Sequence, residues 1–141
     1  MRFFLILAVA LFACGCGVET GPSKIDSDAP TEFTTTGSGL KYRILRKSDG
    51  RKPKPTDNVM VDYAGWLDNG SEFDSSYASA KPATFRLNQV IPGWTEGMQL
   101  IGEKGMIELE IPPELAYGDA AQAKIPPGST LHFKVELLEI K

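Results

Sequence analysis

Stretch after stretch of this chain alternates apolar and polar residues with period two, while a single stretch carries a helix signal. That imbalance limits the folds open to it. Leu40-Lys41-Tyr42-Arg43-Ile44-Leu45-Arg46 sets Leu40, Tyr42 and Ile44 on one side, and the run from Val59 to Leu67 sets Val59, Val61, Tyr63 and Leu67 on one face. Asp68-Asn69-Gly70 is a hairpin turn signal leading into Glu72-Phe73-Asp74, and Ala83-Thr84-Phe85-Arg86-Leu87 is a further short alternation. From Met106 to Ile111 the pattern turns Ile107, Leu109 and Ile111 inward and Glu108 and Glu110 outward. From Thr130 to Leu137 it turns Leu131, Phe133, Val135 and Leu137 inward. One-sided alternation of this kind predicts an antiparallel sheet with one wet face. The dry face needs a cover, and the candidate is a helix from about Pro92 to Ile101. Proline suits the first helical position because its φ fits the turn and its missing N–H would be unpaired there. Trp94 and Met98, four apart, then share one face of that helix. The expected fold class is α+β: an antiparallel sheet curled over one short α-helix.

The ends of the chain read differently. Arg2 is followed by an uncharged apolar run from Phe3 to Phe12 and then by Ala13-Cys14-Gly15-Cys16-Gly17. A basic residue, an apolar run too short to span a membrane and small residues at its end make a secretory signal. Residues 1–16 are therefore expected to be a signal peptide. Its ending on cysteine resembles a bacterial lipobox, with Cys14 the favoured lipid attachment site and Cys16 the alternative. Residues 17–38 are rich in Thr, Ser, Gly, Pro and Asp and are expected to be a flexible tether. An exported, lipid-anchored protein of the cell envelope follows from this reading, periplasmic or facing the outer membrane. Without heptads or a dimerising helix, a monomer is expected.

Charge and side-chain chemistry exclude several classes of function. The net charge of −3 gives no basic footprint for nucleic acid. His132 is the only histidine, and strand alternation turns it outward beside Lys134 and Glu136, so a Ser/His/Asp or Cys/His mechanism lacks its base. Ser75 and Ser76 follow Asp74 as turn residues. Glu108 and Glu110 do not have metal-ligand spacing, and no glycine-rich loop opens a helix, so neither metal nor cofactor is expected. What remains is a load of aromatics at strand ends and inner faces. Tyr63, Phe73, Phe85, Trp94, Tyr117 and Phe133 could line one cavity, with Val90, Ile91 and Ile125 from loops and Asp74 as the one charge beside it.

Val61-Asp62-Tyr63-Ala64-Gly65, Phe73-Asp74-Ser75-Ser76, Val90-Ile91-Pro92-Gly93-Trp94, Ala116-Tyr117-Gly118, Ile125-Pro126-Pro127 and Val135-Glu136-Leu137-Leu138 stand in the order and spacing of FKBP-type peptidyl-prolyl isomerases. The resemblance runs from Gly39 to Lys141, and is closest to bacterial exported members such as the macrophage infectivity potentiator type. It implies an isomerase domain over 39–141, a bent sheet around one helix and Trp94 as the floor of a pocket. Tyr63, Phe73, Asp74, Val90, Ile91, Trp94, Tyr117, Ile125 and Phe133 match the family's binding-site positions.

The roles implied are catalytic for Asp74, Tyr63 and Tyr117 and substrate-binding for Phe73, Val90, Ile91, Trp94, Ile125 and Phe133. Xaa-Pro polypeptides are the implied substrates, and immunosuppressant macrolides the implied inhibitors. Two departures from the family pattern stand beside the site. Ala83 replaces an aromatic wall, and Ser79 occupies the place of an Arg that often pairs with the Asp, leaving Asp74 to rely on the Tyr63 hydroxyl. The alternative function is a non-catalytic module that binds proline peptides or acts as a chaperone.

Overall fold

The nine-residue strand β3 (Asn58–Trp66) is the axis of the domain. Valines, a tyrosine and a glycine alternate along one side of it, and every one of them is buried. The computed structural model describes residues 24–141; the expected signal peptide and the candidate attachment sites Cys14 and Cys16 lie outside the described residues. The other elements are β1 (Thr34–Thr35), β2 (Lys41–Arg46), β4 (Glu72–Ser75), β5 (Ala83–Arg86), α1 (Pro92–Gly97), β6 (Met106–Ile111) and β7 (Leu131–Ile140). They form one antiparallel sheet in the order β1-β2-β6-β7-β3-β4, with β5 also pairing β3. The far edge of β3 is shared: Ala64 to Trp66 pair with β4 and Asn58 to Val61 with β5.

The inward rows match the sequence pattern. Val59, Val61, Ile107, Leu109, Ile111, Leu131, Val135 and Leu137 are fully buried under α1 and the loops. The register of β2 shifts between Ile44 and Arg46; Ile44, opposite Ile107, is half-buried against the core, and Leu45 at the irregularity is buried outside the core cluster. The helix ends earlier than its expected limit at Ile101. It closes at Gly97, and a tighter 3₁₀ turn over Met98–Leu100 finishes it. Gly97 permits close approach to β6, because a Cβ there would stand 2.6 Å from a Leu109 methyl carbon. Thr95 Oγ1 donates to the Leu87 carbonyl at 2.6 Å and ties the helix to the chain before it.

The opposite face of the sheet is drier than the alternation suggests. Glu108 is 7% exposed and Glu136 only 4%. Arg43 reaches one oxygen of Glu108 through Nε at 2.7 Å and Nη2 at 2.5 Å. Arg46 lies 3.2 Å from Glu136, whose second oxygen accepts a short hydrogen bond from the Tyr77 hydroxyl. Burial first, and that bond second, push the Tyr77 phenol well above its usual range. A phenol held neutral by the fold stabilises it fully below 10.0, the ordinary value. That contribution is lost as the pH rises further, because only the unfolded chain ionises easily. Stability should therefore fall above pH 10.0, and less steeply in Tyr77→Phe, as urea titrations at successive pH values would show. Glu136→Ala should cost roughly 2–3 kcal/mol, since it removes a buried carboxylate to which both Arg46 and Tyr77 are bonded; a loss below about 0.5 kcal/mol would reduce the pair to a surface contact.

The described part of the expected tether, residues 24–38, is a strap on the domain. Asp26 N–H donates to the Leu45 carbonyl at 2.8 Å, and the Asp26 carboxylate accepts from Lys47 N–H at 2.8 Å. The Arg43 guanidinium donates to the Thr31 carbonyl at 3.0 Å and lies 5.0 Å from the centroid of the Phe33 ring. Thr34 and Thr35 form β1 on β2. Thr36 and Ser38 donate to the Glu96 carboxylate at 2.6–2.8 Å, so the strap also grips α1.

Candidate active site

Trp94 is carried on the first turn of α1, where Pro92 sets the direction of the helix and Ile91 receives the Trp94 and Thr95 N–H groups at 3.0 and 3.2 Å. The indole is 4% exposed. Three rings stand nearly perpendicular to it: Tyr63 from β3 at 5.2 Å, Phe133 from β7 at 5.3 Å and Phe85 from β5 at 5.7 Å between centroids. Phe73 from β4 meets Phe133 at 5.4 Å, also edge to face. Such contacts add about 0.5–1.5 kcal/mol each beyond burial and fix ring orientation. Among the described residues, Trp94 Nε1 is the buried side-chain polar atom without a hydrogen-bond partner.

These rings wall a cavity of about 510 Å³. Eight of the nine expected site residues line it: Tyr63, Phe73, Asp74, Val90, Ile91, Trp94, Tyr117 and Phe133. Ile125 does not. It is buried at 6% and lines a second cavity, on the loop segment closed by the Gln122–Ile125 bridge. Phe85, Gln89 and Ala116 complete the first lining. Phe85 is legible as an inward strand aromatic. Gln89 and Ala116 are adjacent to Val90 and Tyr117 and carry no signal of their own. Ala83 lies opposite Val61 in the β5–β3 pair and is not part of the lining.

Gly65 leaves room for the aromatic box. A Cβ there would come within 2.7 Å of both Phe133 and Phe73. Gly65→Ala should therefore push one ring into the cavity and weaken ligand binding roughly tenfold, with a loss of about 1–3 kcal/mol in stability. Titrating a proline peptide against the intrinsic fluorescence would measure it, and unchanged affinity would show that the rings yield freely.

Polar groups sit at the rim. The Tyr63 hydroxyl donates a short hydrogen bond to Asp74 Oδ2. Burial, then that bond, then the Asp74 charge push the Tyr63 phenol far above its ordinary range, so it remains a donor. Asp74 thus accepts this bond through one oxygen, and among the described residues none donates to the other. Ser76 holds the pair in place. Its Oγ accepts from Tyr63 N–H at 2.8 Å and donates to Asp62 at 2.8 Å, closing the end of the β3–β4 ladder. Ser76 is the first residue of the turn after β4, as expected, and it is buried there with a positioning role. Tyr117 is 40% exposed, at the cavity mouth on the loop after β6. None of the hydrogen bonds among the described residues uses the Ile91 N–H. His132 lies away from this lining, stacked on Trp66 at 5.8 Å with Nε2 2.7 Å from Asp68.

A family model described as FKBP-type peptidyl-prolyl cis-trans isomerase matches residues 49–138. The chain is 52% identical over 107 residues to the FKBP-type peptidyl-prolyl cis-trans isomerase FkpA of Escherichia coli (strain K12), covering 76% of this chain and 40% of that one. It is 48% identical over 122 residues to the FKBP-type 22 kDa peptidyl-prolyl cis-trans isomerase of the same strain, covering 85% and 59%. The crystal structure of FkpA from Escherichia coli superposes with a TM-score of 0.77 at 50% identity, over 79% of this chain and 53% of that one. A peptidyl-prolyl cis-trans isomerase from Pseudomonas syringae pv. tomato gives 0.72 at 33% identity, over 79% and 83%. The chain thus spans less than two thirds of the curated relatives it matches here. The matched segment carries the whole aromatic cavity and its Tyr63–Asp74 pair, and with relatives about half identical across it, the chain belongs to the FKBP-type peptidyl-prolyl cis-trans isomerase family.

Proposed function

We propose that this domain accelerates cis–trans rotation about Xaa-Pro bonds in polypeptide substrates, and the observation that carries the reading is the Trp94-floored cavity with its Tyr63–Asp74 rim. Amide rotation costs about 18–20 kcal/mol because planarity carries resonance, and Xaa-Pro bonds exchange unaided in roughly 10–100 s. Lowering that barrier requires no covalent bond to the protein. It requires a site that holds the twisted amide better than either planar form. An aromatic cavity desolvates the dipolar planar amide more unfavourably than the twisted one, while a few placed groups hold the neighbouring carbonyls. Trp94, Phe133 and Val90 seat the proline ring. The Ile91 N–H and the Tyr117 hydroxyl orient substrate carbonyls, and Asp74, held by Tyr63, faces the rotating one.

Asp74→Ala and Tyr117→Phe should each lower kcat/KM on an Xaa-Pro tetrapeptide by roughly tenfold, the equivalent of one net hydrogen bond. Full rate in both variants would refute the roles assigned to them. A cavity of about 510 Å³ is also of the size that holds a drug-like ligand, so an immunosuppressant macrolide should compete with the peptide.

The same reading extends to location. Arg2, the apolar run after it and the small residues around Cys14 support export and lipid attachment, with the protein acting as a monomer in the cell envelope. Seven residues lie between Cys16 and Lys24, the first described strap residue bonded to β2, whose carbonyl accepts from Arg46 at 3.3 Å. The eight residue steps extend at most about 28 Å, which bounds the distance from an anchored Cys16 to the domain. Mass spectrometry of the mature N-terminus would identify a lipidated Cys14 or Cys16; an unmodified terminus would remove the anchor from the account.

A further inference from the structure

We propose that the second cavity is a subsite for the side chain two or three residues from the substrate's proline, and that it selects an apolar one. The inference rests on the isomerase reading above. The second cavity has a volume of about 530 Å³, with Leu67, Ile125 and Pro126 as its apolar lining and Glu72 and Lys124 as its charges.

The two cavities are walled by the same two segments. The chain around β4 gives Phe73 and Asp74 to the first and Ser71 and Glu72 to the second. The loop after β6 gives Ala116 and Tyr117 to the first and Ala121, Gln122, Lys124, Ile125 and Pro126 to the second. Two residues of extended chain span about 7 Å. A peptide whose proline ring rests on Trp94 and which runs along β4 therefore carries its second or third neighbour into the second cavity.

The loop wall is held in shape. Gln122 and Ile125 exchange backbone hydrogen bonds, both 3.0 Å, around Ala123 and Lys124. Lys124 has φ +66°, in the left-handed region that costs a side-chain-bearing residue about 1–2 kcal/mol. A glycine would relieve that strain and lose the ammonium group. Among the described residues neither Glu72 nor Lys124 has an ion-pair partner, so each is available to a peptide N–H or carbonyl passing over the apolar lining. This also gives buried Ile125 a role, two or three residues along the substrate from the cavity in which it was expected.

The test uses octapeptides with one central proline and either leucine or serine at the second and third positions from it, on the N-terminal or the C-terminal side. With the full domain, kcat/KM should be roughly fivefold to tenfold higher for leucine than for serine on one of the two sides, as partial withdrawal of an apolar side chain from water gives. Ala121→Trp, a change at an exposed position of the loop wall, should bring that ratio to about one through KM, while Ala121→Ser should preserve it. A ratio near one in the unaltered domain on both sides, or a ratio that survives Ala121→Trp, would overturn the subsite and leave the isomerase reading standing. No acceleration of any octapeptide by the unaltered domain would overturn both.

Discussion

Trp94→Ala is expected to lower kcat/KM on an Xaa-Pro peptide by roughly thirty- to hundredfold, the effect of losing a central aromatic anchor. It should also destabilise the domain by about 3–5 kcal/mol, as aromatic truncation in a core does. Both losses follow from one placement. The indole is buried beneath the rings of Tyr63, Phe85 and Phe133 while one side of it forms the cavity floor. Met98, four residues on, supplies the control. It is fully buried but does not line the cavity, so Met98→Ala should cost about 2–5 kcal/mol in stability and leave peptide affinity close to that of the parent. Peptide titration and urea unfolding, run on both variants at a temperature where both are folded, separate the two effects. Equal losses of affinity would mean that Trp94 acts only through the core.

Removal of residues 1–38 is expected to destabilise the domain by about 3–4 kcal/mol relative to a chain that starts at residue 24, taking each lost net hydrogen bond at about 0.5–1.5 kcal/mol. The strap's contacts are with Leu45, Lys47, Arg43 and the Glu96 carboxylate, and its two-residue strand closes the edge of β2. Loss of the strap also uncovers Arg43, the partner of buried Glu108, and releases Glu96 on the helix that carries Trp94. Isomerase activity should therefore fall together with stability, by several-fold. Coincident unfolding curves for the two chains would return residues 24–38 to the status of a tether.

The strand rows and the single helix were legible because burial on one side of a strand imposes alternation that only a few residue types satisfy. The aromatic cavity was legible for a related reason: Tyr63, Phe73 and Phe133 occupy inward positions near strand ends, where a core has room for a ligand. The strap was not legible, because carbonyls, carboxylates and hydroxyls hold it and none of these leaves a periodic trace. Alternation placed Glu108 and Glu136 on the outer face correctly. It could not say that Arg43, Arg46 and Tyr77 would cover them, since those residues arrive from a neighbouring strand and a loop. That Ile125 lines the second cavity and not the first was not legible, because a loop's direction depends on its turn, here a bridge between Gln122 and Ile125 with Lys124 left-handed. Ser76 is a turn residue as its type suggests, but its sequence did not show that the hydroxyl also closes the ladder beside the site.

The central claim is that this cavity accelerates rotation about an Xaa-Pro bond as well as binding proline. Exchange spectroscopy on a proline tetrapeptide, with the domain present at about a hundredth of the peptide concentration, tests it directly. Cis and trans signals that exchange unaided over roughly 10–100 s should show exchange cross-peaks within about a second, abolished by a saturating macrolide. Peptide binding seen as shifts of the Trp94 indole resonance, with the exchange rate unchanged, would contradict the account and leave a proline-binding module in its place.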